Sequence, residues 1–173
     1  MKRNGSIYVV IVLALVAGYF TYQWWYNPTR AVQRRLGQLA TALSVADREP
    51  DMSRITRLAE LRRYLAADVH VRAGPSGPEI TSRDALMGVI AGWTAPPGGW
   101  NVQFVDMQVA MDSSNAARAS MTVEVNGRDP QTGQPTVDTY GANVTLAKRE
   151  GEWVVTSAET RETLETTPAS KRP

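Results

Sequence analysis

The hydrophobic pattern changes its period partway along this chain, and that change constrains the fold more than any other feature. In the first half, apolar residues recur at spacings of three and four, which is typical of amphipathic helices. From Val102 onward, apolar and polar residues alternate, which is typical of strands with one buried face. Helices followed by a run of strands predict an α+β domain, with helices packed on one face of a curved antiparallel sheet.

Three helices are predicted before the run of strands begins. They cover 29–46, 52–67 and 85–93, with a short strand over 69–73 between the second and the third. The second helix is predicted to turn Ile55, Leu58 and Leu61 toward the core and its arginines toward water. Asp51 or Ser53 is its expected N-cap, because a side-chain oxygen there can accept from a free backbone N–H group.

Four strands are predicted in the second half of the chain. They cover 102–111, 117–125, 137–149 and 153–162. Residues 150–152 form the tight turn into the last strand, and Trp153 directly after the turn is predicted to be buried. The whole domain is predicted to occupy 27–165, followed by a disordered tail over 166–173.

An uncharged run of 19 residues, Ile7–Trp25, follows a short basic tail over 1–6. As a helix it would extend about 28 Å, close to the ~30 Å hydrocarbon thickness of a bilayer. Aromatic residues cluster at its far end, where rings favour the headgroup level. We therefore predict a transmembrane helix over 7–26, with a cleaved signal peptide as the alternative. Ala14 and Gly18 form a small-xxx-small pair, at which another helix could pack.

The charge distribution argues against nucleic acid as a partner. The chain carries 19 Lys and Arg against 17 Asp and Glu. Five of the basic residues and no acid lie in 1–46, which leaves 14 basic residues against 17 acids, a formal −3, in the remainder. The basic excess therefore flanks the predicted span, where Arg30, Arg34 and Arg35 could contact lipid phosphates. A short basic tail that stays inside predicts a bacterial inner-membrane protein with a periplasmic domain, although the basic residues on the two sides nearly balance.

Two local phrases and the order of elements resemble the NTF2-like superfamily, also described as SnoaL-like or cystatin-like α+β. The first phrase consists of Leu65–Val71, a helix end and short strand, followed by Ile80–Leu86, the start of the next helix. The second is the closing hairpin Leu146–Val155 with its Gly-x-Trp turn. Arg83 stands where many relatives have glycine. The resemblance implies a conical cavity between sheet and helices. It is nearly silent on function, because members include dehydratases, isomerases and polyketide cyclases as well as non-enzymatic modules and subunits of secretion machines.

Several kinds of chemistry are excluded by residue types that the chain lacks. It has no cysteine, so it has no disulfide, no thiolate metal site and no cysteine nucleophile. His70 is the one histidine, which excludes a histidine-rich metal cage. Phosphate-binding loops, nucleophile elbows and dinucleotide fingerprints are absent from the sequence. We therefore predict no metal and no cofactor.

Catalysis in a relative of this fold would require a carboxylate with a histidine or tyrosine partner inside the cone, as the resemblance implies. The candidates are His70, Asp68, Asp106, Asp138 and Tyr140. His70 shares strand parity with Arg72, which predicts that His70 faces water. Asp106 shares parity with Phe104, so it either faces the cone or lies solvated at a strand edge. Tyr140 could donate a hydrogen bond to a ligand, or it could be an ordinary buried tyrosine.

Trp93 and Trp100 flank the loop over 96–99. They could form the rim of a ligand pocket or a docking patch, and packing at the sheet edge is the alternative. Together the sequence features favour a non-catalytic, membrane-anchored scaffold or accessory subunit of a secretion, respiratory or photosynthetic complex, with other membrane subunits as partners. Two alternatives stay open: a membrane-tethered domain that binds a small ligand, and a dehydratase- or isomerase-type enzyme.

Overall fold

The structure is a computed structural model that describes residues 12–16, 28–74, 77–93, 97–129 and 131–168, with side chains up to 161. The predicted span over 7–26 lies outside these residues except for 12–16, which are helical and exposed. Gly18 also lies outside them, so the Ala14–Gly18 pair is not described. Among the described residues, no helix is long and apolar enough to cross a bilayer.

Three helices and six strands form the described domain. The helices are α1 (Pro28–Leu43), α2 (Asp51–Tyr64) and α3 (Arg83–Gly92). The strands are β1 (Leu65–Ala73), β2 (Glu79–Ile80), β3 (Asn101–Ser113), β4 (Ala116–Arg128), β5 (Pro135–Arg149) and β6 (Glu152–Pro168). The helices-then-strands order predicted from the period change is confirmed, and β2 is an additional short strand. β6 continues beyond residue 166, where the tail was expected to begin.

The sheet is mixed, and the prediction of a purely antiparallel sheet was wrong. Its strand order is β2-β1-β6-β5-β4-β3. Tight connections join β3 through β6 into an antiparallel meander, in which each strand reverses direction. β1 pairs with β6 in the parallel sense, and these are the first and last strands of the domain. Periodicity within one strand carries no information about such a long-range pairing.

The junction between α2 and β1 is immediate. The helix ends at Tyr64, and Leu65 already has extended backbone angles (φ −111, ψ 133). Leu65 pairs with Val155 of β6, and both are buried. The predicted helix end at residue 67 was therefore wrong, since pairing with the sheet overrides the helical preference of Leu65 and the two alanines after it.

The N-termini of α2 and α3 are capped differently. Pro50 is the N-cap of α2 and supplies no side-chain hydrogen bond, so the predicted capping by Asp51 or Ser53 was wrong. Ser82 caps α3, and its hydroxyl accepts from the backbone N–H of Ala85.

A bulge in β3 reverses which residues face the core. Val105 pairs with Thr122 and Gln108 with Ser120, so two residues of β3 lie opposite one residue of β4. Asp106, at the bulge, has a left-handed backbone angle (φ 51). Its parity with Phe104 is therefore lost, and the core-facing positions continue at odd numbers from Met107 onward.

The core lies between the concave face of the sheet and the three helices. The most deeply buried side chains are Val32, Leu36, Leu61, Val69, Ala117 and Leu146. Trp153 is only 6% exposed, which confirms the prediction that the closing hairpin buries it.

Arg35 joins α1, α2 and the start of β6. Its guanidinium donates to the backbone oxygens of Trp153 and Arg63, each at 3.0 Å, and forms an ion pair with Glu152 at 2.6 Å. The same group lies over the ring of Tyr64, 4.3 Å from its centroid. The expectation that Arg35 contacts lipid phosphates was therefore wrong, because its donors bind within the domain.

Candidate functional site

A cavity of about 560 Å³ opens between the sheet and the helices. We call it the cone cavity. Its lining comes from every helix and from five of the six strands: Leu36, Leu39, Leu43, Leu61, Leu65, Val71, Leu86, Ile90, Trp93, Trp100, Val102, Phe104, Met121, Val123, Val125, Ala142, Val144, Val155, Ala158 and Thr160. Alternation along the strands explains this composition, because each strand contributes only the face that is turned toward the helices.

The lining of the cone cavity is chemically uniform. Among the described residues that line it there is no Asp, Glu, His, Lys, Arg or Tyr. Its polar side-chain atoms belong to Thr160, Trp93 and Trp100, and those of Thr160 and Trp100 already form hydrogen bonds within the domain. The hydroxyl of Thr160 accepts from Gly74 N at 3.1 Å, and the indole N–H of Trp100 donates to Leu43 O at 2.8 Å. This lining can exclude water and contact apolar groups, but it offers no titrating group.

Trp93 and Trp100 stand at one rim of the cone cavity. Their rings meet edge to face, with centroids 6.3 Å apart and planes at 76°. Trp100 is fixed by two backbone hydrogen bonds of 2.9 Å with Val45, whereas Trp93 is 55% exposed at the end of α3. Gly99, before Trp100, permits this close approach: a Cβ there would lie 2.1 Å from the oxygen of Val45.

A second, polar cavity of about 560 Å³ lies beyond the two tryptophans, and we call it the arginine pocket. It is lined by Val45, Asp47, Arg48, Glu49, Arg54, Arg57, Trp93, Pro97, Gly98 and Trp100. Trp93 and Trp100 therefore line both cavities. Three arginines against two carboxylates give the arginine pocket an excess of one positive charge.

The charged side chains of the arginine pocket differ in how many of their hydrogen-bonding groups already have a partner. Arg57 and Glu49 form a two-bond ion pair at 2.8 and 3.1 Å, with side chains only 14% and 13% exposed. The Asp47 carboxylate accepts from Gly98 N at 2.9 Å. Arg54 donates one N–H to the backbone oxygen of Ala91. Arg48 is exposed and bonds to none of the described residues.

Sequence reasoning missed this pocket because it turned all the arginines of α2 toward water. The inward positions of Leu58 and Leu61 are confirmed, since Leu61 is buried and Leu58 packs against the core. Ile55 was predicted to point inward but is 61% exposed. Arg54 and Arg57 were predicted to face water, but Arg54 is partly buried and the side chain of Arg57 is only 14% exposed. Their partners, Glu49 in the preceding loop and Ala91 on α3, could have been suspected only from tertiary structure.

The candidate catalytic residues of β1 and β3 lie away from the cone cavity. His70 is exposed, as predicted, with Nδ1 3.7 Å from a carboxylate oxygen of Glu79. Asp68 is exposed and pairs with Arg149 at 2.9 Å, and the hydrogen bond from Arg149 lowers the pKa of this carboxyl. Asp106 is exposed at the bulge of β3, so of its two predicted placements the solvated one is observed.

Asp138 and Tyr140 lie nearer to the cone cavity, at the start of β5. Register places Asp138 opposite Val125 and Tyr140 opposite Val123, and both valines line the cavity. Neither Asp138 nor Tyr140 is among the described lining residues. Burial raises the pKa of the Tyr140 hydroxyl, and the nearby Asp138 carboxylate adds to that shift. A hydroxyl held in its neutral form in this way can donate a hydrogen bond but is a poor general base.

Metal binding finds no support in the part of the chain that the structure describes. No three His, Cys, Asp or Glu side chains there are grouped closely enough to hold an ion.

Comparison with known structures identifies the fold. An NTF2-like protein with a cystatin-like fold from Novosphingobium aromaticivorans superposes with a TM-score of 0.65 at 11% identity, covering 90% of this chain and 94% of its own. The hexachlorocyclohexane dehydrochlorinase of Novosphingobium barchaimii gives 0.61 at 11% identity, covering 83% and 90%. The fold is NTF2-like.

A further match is not described as an enzyme. The CaMKII hub homology domain of Chlamydomonas reinhardtii superposes with a TM-score of 0.59 at 15% identity, covering 76% of this chain and 95% of its own. Neither the protein-family models nor the curated proteins provide a match to this chain. At such low identities the likeness establishes the fold alone, and function has to be argued from the cavities.

Proposed function

We propose that this protein is a non-catalytic NTF2-like domain that binds an apolar small molecule in the cone cavity. The observation that carries the proposal is the lining itself, which is apolar and contains no titratable side chain among the described residues. The volume of about 560 Å³ falls within the range of roughly 300–1,000 Å³ that is typical of small-molecule sites.

The same observation argues against a dehydratase- or isomerase-type activity. Such a reaction needs at least one group that takes up or releases a proton within hydrogen-bond reach of the substrate. His70, Asp68 and Asp106 are exposed, outside the cone cavity, and neither Asp138 nor Tyr140 is among its described lining residues. An apolar ligand held there would contact side chains that bind it and exclude water without reacting.

Mass spectrometry and a binding assay test this function. Small molecules released from purified full-length protein should include an apolar compound at stoichiometric amounts. A neutral probe, decanol, should raise the melting temperature by roughly 5–10 °C near 100 times its dissociation constant, which corresponds to about 2.7 kcal/mol of linked stabilisation. Protein that carries no ligand and shows no shift with decanol would contradict the proposal.

A membrane tether and a protein partner form the second part of the proposal. The uncharged run over 7–25 supports an anchor at a bacterial inner membrane, with the domain on the periplasmic side. Exposed large apolar side chains on α2 and α3 support docking to another membrane subunit, because such groups are costly to leave in water: Met52, Ile55, Val89 and Trp93. Retention in membranes after alkaline carbonate washing tests the anchor, and migration above monomer size in native gels tests the partner.

A further inference from the structure

We infer that the ligand is an amphipathic anion with a single apolar tail, whose tail fills the cone cavity and whose carboxylate or phosphate binds in the arginine pocket. This inference rests on the proposed function, because the cone cavity must first hold a ligand. It adds a chemical class to that ligand and a role to residues on α2 and in the loop before it.

The wall that the two cavities share is the first argument. Trp93 and Trp100 line both, so a ligand that contacts these rings from the cone cavity lies next to the arginine pocket. The two sides of this boundary have opposite character: apolar side chains on one side and five charged side chains on the other. A ligand that crosses the boundary would need an apolar tail and a polar head.

The sign of the head follows from the charges left over in the arginine pocket. Glu49 and Arg57 neutralise each other in their two-bond ion pair. Asp47 is held by a backbone N–H, which leaves one carboxylate against Arg48 and Arg54. The excess charge is therefore positive, and it lies beside the ring pair of Trp93 and Trp100.

The donors needed for an anion are present as well as the charge. A guanidinium carries five N–H groups in a planar fork that matches carboxylate and phosphate oxygens. Arg54 uses one N–H on Ala91, and its other donors have no partner among the described residues. The guanidinium of Arg48 forms no hydrogen bond with any described residue. Its left-handed backbone (φ 55) is unusual for a residue other than glycine.

The ion pair between Glu49 and Arg57 holds the loop that carries Arg48. Glu49 follows Arg48 directly, so its two bonds to α2 fix the chain at the edge of the pocket. Arg57 and Glu49 are therefore positioning residues, whereas Arg48 and Arg54 are the groups expected to touch the head of the ligand.

Three probes with one tail test the inference: decanol, decanoate and decyl phosphate. Full-length protein is used in nanodiscs of a two-tailed zwitterionic lipid, because the proposed anchor needs a bilayer and single-tailed detergent would compete for the cone cavity. Wild-type protein should bind the better of the two anions about tenfold more tightly than decanol, the range expected when a charge-assisted hydrogen bond is added. The tighter of the two anions identifies the head as carboxylate or phosphate.

Arginine variants locate the anion site. Arg48→Met and Arg54→Met should each remove most of the preference for the anion and leave decanol affinity unchanged. Arg48→Met keeps the test decisive if Arg54→Met fails to fold, because Arg48 is exposed and has no partner among the described residues. Arg34→Met, which removes the same charge from an exposed position of α1 that lines neither cavity, should leave all three affinities unchanged.

The outcomes separate this inference from the proposed function. Equal affinity of wild-type protein for decanol and both anions would overturn the anion site and leave the apolar cavity intact. An anion preference that survives Arg48→Met and Arg54→Met, or is lost equally in Arg34→Met, would also overturn it. Absence of binding by decanol and by both anions would refute the proposed function itself.

Discussion

Filling the cone cavity from the sheet side should distinguish an open binding site from a packed core. Ala142 of β5 is 8% exposed, and its methyl group lines the cavity. Ala117 of β4 is fully buried on the same inner face of the sheet but does not line the cavity. Ala142→Phe and Ala117→Phe therefore introduce the same ring into two environments that differ in free volume.

The expected magnitudes follow from that difference. A ring at residue 117 has no space and must displace its neighbours, and overpacking of this kind typically costs about 1–3 kcal/mol. The melting temperature would then fall by a few degrees, at roughly 2–4 °C per kcal/mol for a chain of this size. A ring at residue 142 can enter a cavity of about 560 Å³, where burial of its apolar surface offsets the loss of side-chain freedom. We expect Ala142→Phe to lie within about 1 kcal/mol of wild type or above it.

Denaturant unfolding, followed by tryptophan fluorescence, measures both variants, and decanol titration measures the consequence for binding. Ala142→Phe should lose decanol affinity at near wild-type stability, because the ring occupies the space of the ligand. A loss of stability as large as that of Ala117→Phe would refute the existence of an open cavity at Ala142. Unchanged decanol affinity in a stable Ala142→Phe protein would refute the placement of the ligand.

Three further predictions concern the domain around the cavities. Trp153→Ala should cost about 3–5 kcal/mol of unfolding free energy in denaturant titrations, whereas Trp93→Ala, at a position 55% exposed, should cost less than about 1 kcal/mol. The Asp112 hydrogen bond from Arg118 lowers the pKa of this carboxyl, so its stabilising contribution is present above the ordinary value of 3.8 and lost as the pH falls through the lowered pKa. Melting temperatures of wild type and Asp112→Asn should therefore differ at neutral pH and converge in acid. His70→Ala should leave decanol binding and melting temperature unchanged, and a loss of binding without a loss of stability would reopen the catalytic reading.

The order of elements could be predicted from the sequence because it depends on local periodicity. The closing hairpin illustrates this: alternation on both sides of residues 150–152 identifies two strands, and Trp153 is buried as expected. The NTF2-like fold expected from those phrases is confirmed by the structural matches. In each case the information lies within a few residues of the feature that it predicts.

The arginine pocket could not be predicted, because its information is spread over distant segments. Arg54 is held by Ala91 of another helix, and this contact reverses the usual rule that arginine faces water. The strand parity that Asp106 shares with Phe104 did not predict its facing for a related reason. A bulge in β3 interrupts the alternation there, and the bulge depends on pairing with β4. Parallel pairing of β1 with β6 likewise depends on strands far apart in the chain.

The two cavities together are the argument for the proposed binding function. The cone cavity provides apolar contact without a titrating group among its described lining residues. The arginine pocket provides charge, but a guanidinium stays protonated at all physiological pH values and cannot act as a general base. Its carboxylates are engaged by Arg57 and by the backbone of Gly98. The proposed ligand is therefore one selected by its apolar tail in the cone cavity and by the charge of its head in the arginine pocket.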